Sequence, residues 1–178
     1  MLKERTDIFM RFEFVSENEQ LNKLPPFLTE DKMASEVMDW VKNNLKLPTR
    51  STANAAGYDF ILPVDVTIPA GKQVVIPTFV KAQLDFDKVL ELYPRSSYGI
   101  KKGLSLANTV GVIDSDYYNN QDNEGHILVC YKNNTNTDVT LSRGDKFVQG
   151  VIKQFFVVEN DAYGQGNTRV GGIGSSGR

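Results

Sequence analysis

Two aspartates close an apolar stretch of the chain, at residues 111–117 (Gly-Val-Ile-Asp-Ser-Asp-Tyr). Side chains two positions apart in a β-strand point to the same face, so Asp114 and Asp116 are expected to lie side by side. Two carboxylates on one face repel each other unless a cation, a proton or solvent relieves the repulsion. The pair therefore indicates either a site that holds a cation or a proton, or an ordinary polar strand end in water.

Two further segments carry side chains suited to binding an anion. Residues 94–99 (Pro-Arg-Ser-Ser-Tyr-Gly) combine a guanidinium with two hydroxyls. Residues 144–149 (Gly-Asp-Lys-Phe-Val-Gln) form a turn leading into an apolar strand, from which Lys146 and Gln149 can reach an anion. Taken alone, each segment is explained equally well by a solvated turn.

A carboxylate and a glycine-rich tail complete the set. Residues 55–60 place Asp59 after a glycine in a strand-like stretch, and residues 169–177 combine an arginine, two serines and several glycines. Glycines let backbone N–H groups approach an anion closely, although the same composition is typical of a flexible tail. Donors, cations and carboxylates are what the hydrolysis of a nucleoside triphosphate requires. The sequence has neither a Walker motif nor a kinase glycine loop, so such a phosphate site would be built differently.

Composition narrows the possible classes of protein. The chain has 178 residues, a formal net charge of −2 and an isoelectric point near 5.5, which argues against a protein that mainly grips nucleic acid. The single cysteine, Cys130, excludes an intramolecular disulfide, and with a single histidine, His126, a zinc site is not expected. No secretion signal or membrane-spanning run is evident. These features predict one soluble, cytoplasmic domain over residues 1–178.

Short β-branched and aromatic runs dominate residues 58–158 and alternate with polar or Gly/Pro breaks. Many short strands at a spacing of roughly 8–12 residues predict an all-β fold, a sandwich or jelly roll. The expected strands are residues 64–68, 73–76, 89–93, 126–132 and 147–158, with residues 8–15 as a possible early strand.

One segment near the N-terminus breaks this pattern. Residues 30–45 carry apolar side chains at four-residue spacing, which predicts a helix that begins after an N-cap at Thr29 and ends near Asn43 and Asn44. The apolar stripe consists of Met33, Val37, Val41 and Leu45. We expect it to dock on the sandwich or on a neighbouring subunit.

Taken together and in order, five segments resemble the five motifs of the trimeric all-β dUTPase family. They are Ala-Ala-Gly-Tyr-Asp at 55–59, Pro-Arg-Ser-Ser at 94–97, Gly-Val-Ile-Asp-Ser-Asp-Tyr at 111–117, Gly-Asp-Lys-Phe-Val-Gln at 144–149 and Arg-Val-Gly-Gly-Ile-Gly-Ser-Ser-Gly at 169–177. The resemblance covers roughly residues 47–178 and implies a distorted jelly roll, a homotrimer with shared active sites, and Mg²⁺-assisted hydrolysis of dUTP to dUMP and pyrophosphate. Residues 16–46 are then a helical insertion, and residues 159–178 a mobile lid.

The resemblance also implies a role for each matching residue. Asp114 would be the general base that orients the attacking water, Asp59 would hold a water in the Mg²⁺ shell, and Tyr117 would lie against the deoxyribose and exclude a 2′-hydroxyl. The phosphate contacts would be Arg95, Ser96, Ser97 and Gln149, with Arg169, Ser175 and Ser176 arriving on the tail of another subunit. The uracil contacts would be Asn108, Gly111, Val112 and Ile113, with Ile173 covering the base.

Several positions depart from the family pattern. Ile173 stands where the family usually has a phenylalanine that stacks on uracil, and Lys146 stands where it usually has an arginine, so a bidentate fork is lost. Residues 118–125 form a longer loop than usual, similar to loops in some Gram-positive bacterial and phage members. Asp59, Asp114 and Tyr117 are all retained, so activity is expected.

Two other functions fit the same resemblance less well. A dCTP deaminase shares the fold but needs a glutamate near the base-binding strand, where this chain has Asp114 and Tyr117. A regulatory binding module is the other alternative, since the helical insertion or the loop at 118–125 could bind a protein partner. No nucleic acid and no membrane partner is expected.

Overall fold

The computed structural model describes residues 10–28 and 31–161, in which twelve short strands and three α-helices are present. The strands are β1 (Arg11–Phe14), β2 (Thr49–Arg50), β3 (Gly57–Ile61), β4 (Val66–Ile68), β5 (Gln73–Pro77), β6 (Val80–Gln83), β7 (Lys88–Pro94), β8 (Leu104–Leu106), β9 (Gly111–Ile113), β10 (Leu128–Asn133), β11 (Val139–Leu141) and β12 (Lys146–Gln154). The helices are α1 (Glu17–Asn22), α2 (Asp31–Asn44) and α3 (Ser96–Lys102).

All the strand pairs are antiparallel, and β12 lies at the centre of the largest sheet. That sheet has the order β2-β3-β12-β7-β9, and a three-stranded sheet has the order β5-β10-β8. Two-stranded pairs β1-β6 and β11-β4 complete the arrangement. The predicted all-β architecture is confirmed, and the central position of β12 places the motif at 144–149 between β3 and β7.

The core is built by the inward-facing residues of these strands. In β10, buried and more exposed positions alternate, which is the pattern of a strand with one face on a core. Phe60, Phe79, Tyr131 and Phe147 are among its largest buried side chains, and the Tyr131 hydroxyl donates to the Phe147 carbonyl at 2.7 Å. Gly150 lets β12 approach its neighbours closely, because an added Cβ would lie 2.7 Å from Leu90 Cδ1.

The predicted helix is confirmed as α2, and most of its stripe packs on this core. Val37, Val41 and Leu45 are buried, whereas Met33 is 39% exposed and does not pack on this core. The helix ends where Asn43 and Asn44 donate from their side-chain amides to the carbonyls of Asp39 and Trp40. The expected N-cap, Thr29, lies outside the described residues.

Two helices were not expected from the sequence. α1 begins after Ser16, whose hydroxyl accepts a hydrogen bond from the Glu19 N–H at 3.2 Å and so caps the helix. α3 begins within residues 94–99, for which a solvated turn is one interpretation of the sequence, and ends at Lys102 before Gly103, which has a φ of 65°. The insertion before β2 therefore contains α1 as well as α2.

One strand is shorter than expected. The apolar run at 147–158 predicted a strand to Val158, but β12 ends at Gln154, which pairs with Lys88, the first residue of β7. Beyond that pair, the Phe155 N–H still donates to the carbonyl of Asp87 at 3.1 Å, but Asp87 lies outside β7 and the strand pairing ends there. Phe156 is 86% exposed in consequence.

Within the described part of the chain, no helix is both long enough and apolar enough to cross a lipid bilayer.

The single histidine, His126, is fully buried between β6 and α1. Its Nε2 accepts a hydrogen bond from the Phe79 N–H at 2.9 Å, and its Nδ1 lies 3.1 Å from Glu19 Oε1. Since Nε2 is an acceptor, the neutral ring carries its proton on Nδ1 and donates it to Glu19. Burial lowers the pKa of His126 to about 3, and burial raises the pKa of Glu19.

We expect the His126 imidazole to stay neutral in the folded protein from pH 8 down to pH 4. Because the pKa falls from 6.5 to about 3 on folding, the stability contributed by neutral His126 is complete above pH 6.5 and is lost as the pH falls towards 3, at about 1.4 kcal/mol per pH unit. Glu19, whose pKa is raised, offsets part of this loss. The ¹⁵N shifts of the one imidazole measure the titration directly. A midpoint near 6.5 in the folded protein would contradict the burial argument.

Candidate active site

A groove at one end of the large sheet brings three of the predicted motifs together. The register of the sheet places Gln149 of β12 opposite Asp59 of β3 on one side and opposite Tyr93 of β7 on the other. Arg95 follows the end of β7 and precedes α3. The groove has a volume of about 460 Å³ and is lined by Ser51, Ala55, Ala56, Gly57, Asp59, Tyr93, Arg95, Ser96, Gln149 and Val151.

Asp59 is the electrostatic centre of this groove. Its carboxylate is largely buried, with Arg95 Nε 3.3 Å from Oδ1 and Lys146 Nζ 3.0 Å from Oδ2. The Ser51 hydroxyl donates to Oδ2 at 2.5 Å. Burial disfavours the charged carboxylate, but the hydrogen bonds from Ser51 and Lys146 and the charge of Arg95 outweigh it and hold the pKa of Asp59 below its usual value. The Asp59 carboxylate therefore lies between the cations Arg95 and Lys146, which could bind the oxygens of a phosphate chain instead.

The predicted phosphate contacts divide into those that line the groove and one that does not. Arg95, Ser96 and Gln149 border it, and Ser96 is exposed. An added Cβ on Gly57 would lie 2.6 Å from Gln149 Oε1, so the glycine leaves room for that amide beside β3. Ser97 lies on α3, half-buried, outside the groove lining.

A separate cavity lies beside the segment from β8 to β9 that contains the predicted base contacts. β9 pairs with β7, and Gly111 lies opposite Leu92. The predicted contacts Asn108 and Gly111 border the cavity, while Val112 is 59% exposed and Ile113 is half-buried, and neither is part of its lining. The cavity measures about 370 Å³ and is lined by Gln73, Leu92, Leu106, Ala107, Asn108, Gly111, Leu128, Val129 and Cys130.

Asp114 leaves the sheet immediately after β9. It is exposed and extended, with φ −78° and ψ 159°, and precedes a 3₁₀ turn at Ser115–Tyr117. The expectation that Asp114 and Asp116 share one strand face is wrong, because the strand ends at Ile113 and Asp116 lies within the turn. Only Asp114 stands at the strand end.

Tyr117 closes the same turn and is 5% exposed. Its hydroxyl donates to the carbonyl of His126 at 2.9 Å and accepts from Asn123 Nδ2 at 2.8 Å. The hydroxyl is therefore engaged inside the protein.

Asp114 and Asp59 stand far apart within one chain. Three strand spacings separate β3 from β9 in the order of the sheet, and the register places Asp114 about four residues along β7 from Tyr93. At about 4.8 Å per strand and 3.3 Å per residue, the separation is roughly 15–20 Å. One chain does not bring both carboxylates to the same phosphate.

The sequence matches known proteins over most of its length. A sequence model of the dUTPase family matches residues 43–177. The deoxyuridine 5′-triphosphate nucleotidohydrolase of Lactococcus lactis is 44% identical over 143 residues, covering 80% of this chain and 95% of that protein. The corresponding protein of Haemophilus ducreyi is 34% identical over 139 residues, covering 74% and 87%. The chain belongs to the dUTPase family.

Solved dUTPase structures share the fold. The crystal structure of the Streptococcus mutans dUTPase is similar with a TM-score of 0.64 and 40% identity, over 83% of this chain and 98% of that one. The dUTPase of phage phi11 of S. aureus is similar with a TM-score of 0.62 over 90% and 99% of the two chains, but at 18% identity it supports the fold alone. The jelly-roll-like dUTPase architecture expected from the sequence is confirmed.

The donor set of the groove fits the way in which Mg²⁺ binds to nucleotides. Among residues 10–28 and 31–161, no three His, Cys, Asp or Glu side chains cluster to enclose a metal. Mg²⁺ in nucleotide sites usually keeps several waters and takes one or two carboxylates together with substrate phosphates. Asp59, beside the phosphate-binding candidates Arg95 and Gln149, supplies one such carboxylate.

The predicted dUTPase residues of motif five, Arg169, Ile173, Ser175 and Ser176, lie outside the described residues.

Ser51 is a part of the site that sequence reasoning missed. It lies after β2, outside the five motifs, and its hydroxyl accepts from Lys146 Nζ at 2.5 Å while donating to Asp59. Ser51 belongs to no motif and lies in a polar stretch of the sequence, so no sequence pattern indicates that it is part of the site. The Ser51 hydroxyl adds a hydrogen bond to Asp59 beside the one from Lys146. An arginine at position 146 could donate both hydrogen bonds from its guanidinium group.

Replacing Ser51 with alanine is therefore expected to lower kcat/KM for dUTP roughly fivefold, the cost of one hydrogen bond to a charged group at a partly exposed site. Lys146→Arg introduced into the Ser51→Ala protein is expected to restore most of the loss, because the fork donates two hydrogen bonds. Steady-state kinetics on the four proteins of this cycle measure the coupling. Additive effects, with no rescue, would show that Ser51 and Lys146 act independently.

Proposed function

We propose that this chain hydrolyses dUTP to dUMP and pyrophosphate by attack of water on the α-phosphorus. The observation that carries the proposal is the groove in which Asp59 lies between Arg95 and Lys146, beside Ser96 and Gln149. A carboxylate held ionised next to donors and cations suits a triphosphate with its metal ion. Membership of the dUTPase family and the 44% sequence identity to the Lactococcus lactis deoxyuridine 5′-triphosphate nucleotidohydrolase support the same substrate.

Asp114 is the proposed general base. Its carboxylate is exposed at the end of β9, where it can orient a water and accept its proton, and can also hold the 3′-hydroxyl of the sugar. Asn108 and the backbone of residues 111–113 read the polar edge of uracil. Cytosine is rejected because its donors and acceptors would remain unmatched. The ring of Tyr117 lies against the deoxyribose.

Mg²⁺ is the proposed cofactor, and it neutralises charge on the phosphates when bound. Asp59 would hold it through a water molecule. Arg95, Ser96 and Gln149, which border the groove, bind the phosphate oxygens and orient the chain of phosphates.

We further propose a homotrimer whose active sites are shared between subunits. The separation of roughly 15–20 Å between Asp59 and Asp114 within one chain supports this, because both carboxylates must act on one substrate. Arg169, Ser175 and Ser176 would reach the γ-phosphate from another subunit, and Ile173 would cover the base. Closure of that segment would exclude bulk water.

Pyrophosphate release from dUTP, dTTP, dCTP and UTP tests the proposal, measured with Mg²⁺ and then with EDTA. Release from dUTP alone, abolished by EDTA, is the expected result. Release of ammonia from dCTP would instead support a deaminase. No release from any of the four nucleotides would reject the hydrolase and leave a regulatory binding module as the better explanation.

A further inference from the structure

The side chain of Tyr117 is fixed from behind by two residues that follow it in the chain. Its hydroxyl donates to the carbonyl of His126 and accepts from Asn123 Nδ2. Asn123 Nδ2 also lies 3.3 Å from that carbonyl, so three groups meet at one buried point. The orientation of the Tyr117 ring therefore depends on the backbone of His126 and on the amide of Asn123.

The extended loop at 118–125 is organised around these contacts. Asn120 Nδ2 donates to the carbonyl of Tyr117 at 2.9 Å and to Asn123 Oδ1 at 2.8 Å, and both asparagines are buried. Asn123 Oδ1 also accepts from the N–H of Gly125. Gly125 has a φ of 81°, and an added Cβ would lie 2.6 Å from the carbonyl oxygen of Tyr117. The loop closes back on Tyr117 and cannot shift without disturbing it.

The inserted helix α1 holds the far side of the same loop. The carboxylate of Glu124 accepts from the N–H of Ser16 at 3.0 Å and from its hydroxyl at 2.5 Å. Glu19, buried on α1, accepts from His126 Nδ1. Lys81 adds a cation 3.7 Å from Glu124. Ser16 thus joins the N-terminal insertion to Glu124 of the loop, and Glu19 joins it to His126, the residue that follows the loop.

We propose that α1 and the loop at 118–125 form one structural unit that positions Tyr117, and that Asn123 and Glu19 thereby determine the discrimination between deoxyribose and ribose. This inference rests on the proposed function, in which the Tyr117 ring lies against the sugar. Asn123 acts on the ring directly through the hydroxyl. Glu19 acts through His126, whose carbonyl receives the same hydroxyl.

The mechanism of discrimination is steric. A ring held in one place excludes a 2′-hydroxyl, because the added oxygen would need the ring to move. Once the contacts behind the ring are lost, the ring can move aside. The kcat/KM for UTP then rises relative to the kcat/KM for dUTP. Asn123 and Glu19 are positioning residues. Their loss changes the ratio of kcat/KM for dUTP to kcat/KM for UTP, and not only the rate with dUTP.

The test compares kcat/KM for dUTP and UTP in the wild-type protein and in Asn123→Ala, Glu19→Gln and Tyr117→Phe. The Tyr117–Asn123 hydrogen bond is lost in both Asn123→Ala and Tyr117→Phe, and its loss is expected to lower the dUTP/UTP ratio roughly tenfold in each. The Asn123→Ala/Tyr117→Phe double variant should lower it no further, because both changes remove the same contact. Gln121→Ala, an exposed position on the same loop, is the matched control and should keep the wild-type ratio.

Hydrogen exchange supplies a readout independent of activity. The N–H groups of Asn119, Asn123 and Gly125 are hydrogen-bonded within the loop, and their exchange should accelerate in Glu19→Gln while that of β12 stays unchanged. If Asn123→Ala does not fold, Tyr117→Phe and Glu19→Gln still decide the matter. Folded variants with an unchanged dUTP/UTP ratio would overturn the inference. A wild-type protein that hydrolyses no nucleotide would instead refute the proposed function.

Discussion

Replacing Asp114 with asparagine is expected to lower kcat for dUTP hydrolysis by a factor on the order of 10²–10⁴, with little change in KM. Asparagine keeps the shape of the side chain but cannot accept the proton of the attacking water. The position tolerates the change, because Asp114 is exposed at the end of β9 and its side chain is not part of the core. Steady-state kinetics, with binding of a non-hydrolysable dUTP analogue measured by calorimetry, separate turnover from affinity.

Asp122→Asn is a suitable control, since it removes an exposed carboxylate from the loop that follows. It should leave kcat near the wild-type value. Turnover of Asp114→Asn within a factor of a few of wild type would refute Asp114 as the base. A large loss of analogue affinity would point instead to a role in binding the sugar.

Elements with a repeating apolar pattern could be predicted from the sequence. α2 was found because Val37, Val41 and Leu45 follow a helical period, and burial of one face enforces that period. β7 and β10 were found because β-branched and aromatic residues cluster in them. Motif order located Asp59, Arg95 and Gln149, and the sheet register brings these three residues to one groove.

Elements that depend on contacts distant in sequence could not be predicted. α3 contains two serines and a glycine and has little intrinsic helix preference, so its tertiary surroundings decide the conformation. The loop at 118–125 reads as a solvated polar segment, yet Asn120 and Asn123 are buried and hydrogen-bonded. Ser51 acquires its role only when β2 pairs with β3.

The sequence does not reveal that the helical insertion and the long loop at 118–125 are connected, because their contacts join residues far apart in the chain. Ser16 and Glu124 are 108 residues apart, and Glu19 and His126 are 107 apart, yet each pair is in hydrogen-bond contact. The helical insertion and the long loop are therefore parts of one structure. Without the insertion the buried His126 Nδ1 would lose its partner Glu19, and without the loop the N–H and hydroxyl of Ser16 would lose Glu124.

Replacing Asp59 with asparagine is expected to have opposite effects on turnover and on metal-free binding. Turnover should fall on the order of 100-fold, because the carboxylate that holds the Mg²⁺ shell is lost and higher Mg²⁺ is needed for half-maximal activity. Affinity for a dUTP analogue in EDTA should rise, because Arg95 and Lys146 no longer share their charge with Asp59. Calorimetry with and without Mg²⁺ measures both effects.

Asp39→Asn on α2 removes the same charge at an exposed site away from the groove and serves as the control for net charge. It should change neither quantity. Equal affinity of wild type and Asp59→Asn for the analogue in EDTA would mean that releasing Arg95 and Lys146 from Asp59 does not help the groove to bind the phosphates. Unchanged Mg²⁺ dependence in Asp59→Asn would place the metal elsewhere. The sign of the metal-free effect is decisive, because a merely damaged site would bind the analogue more weakly in both conditions.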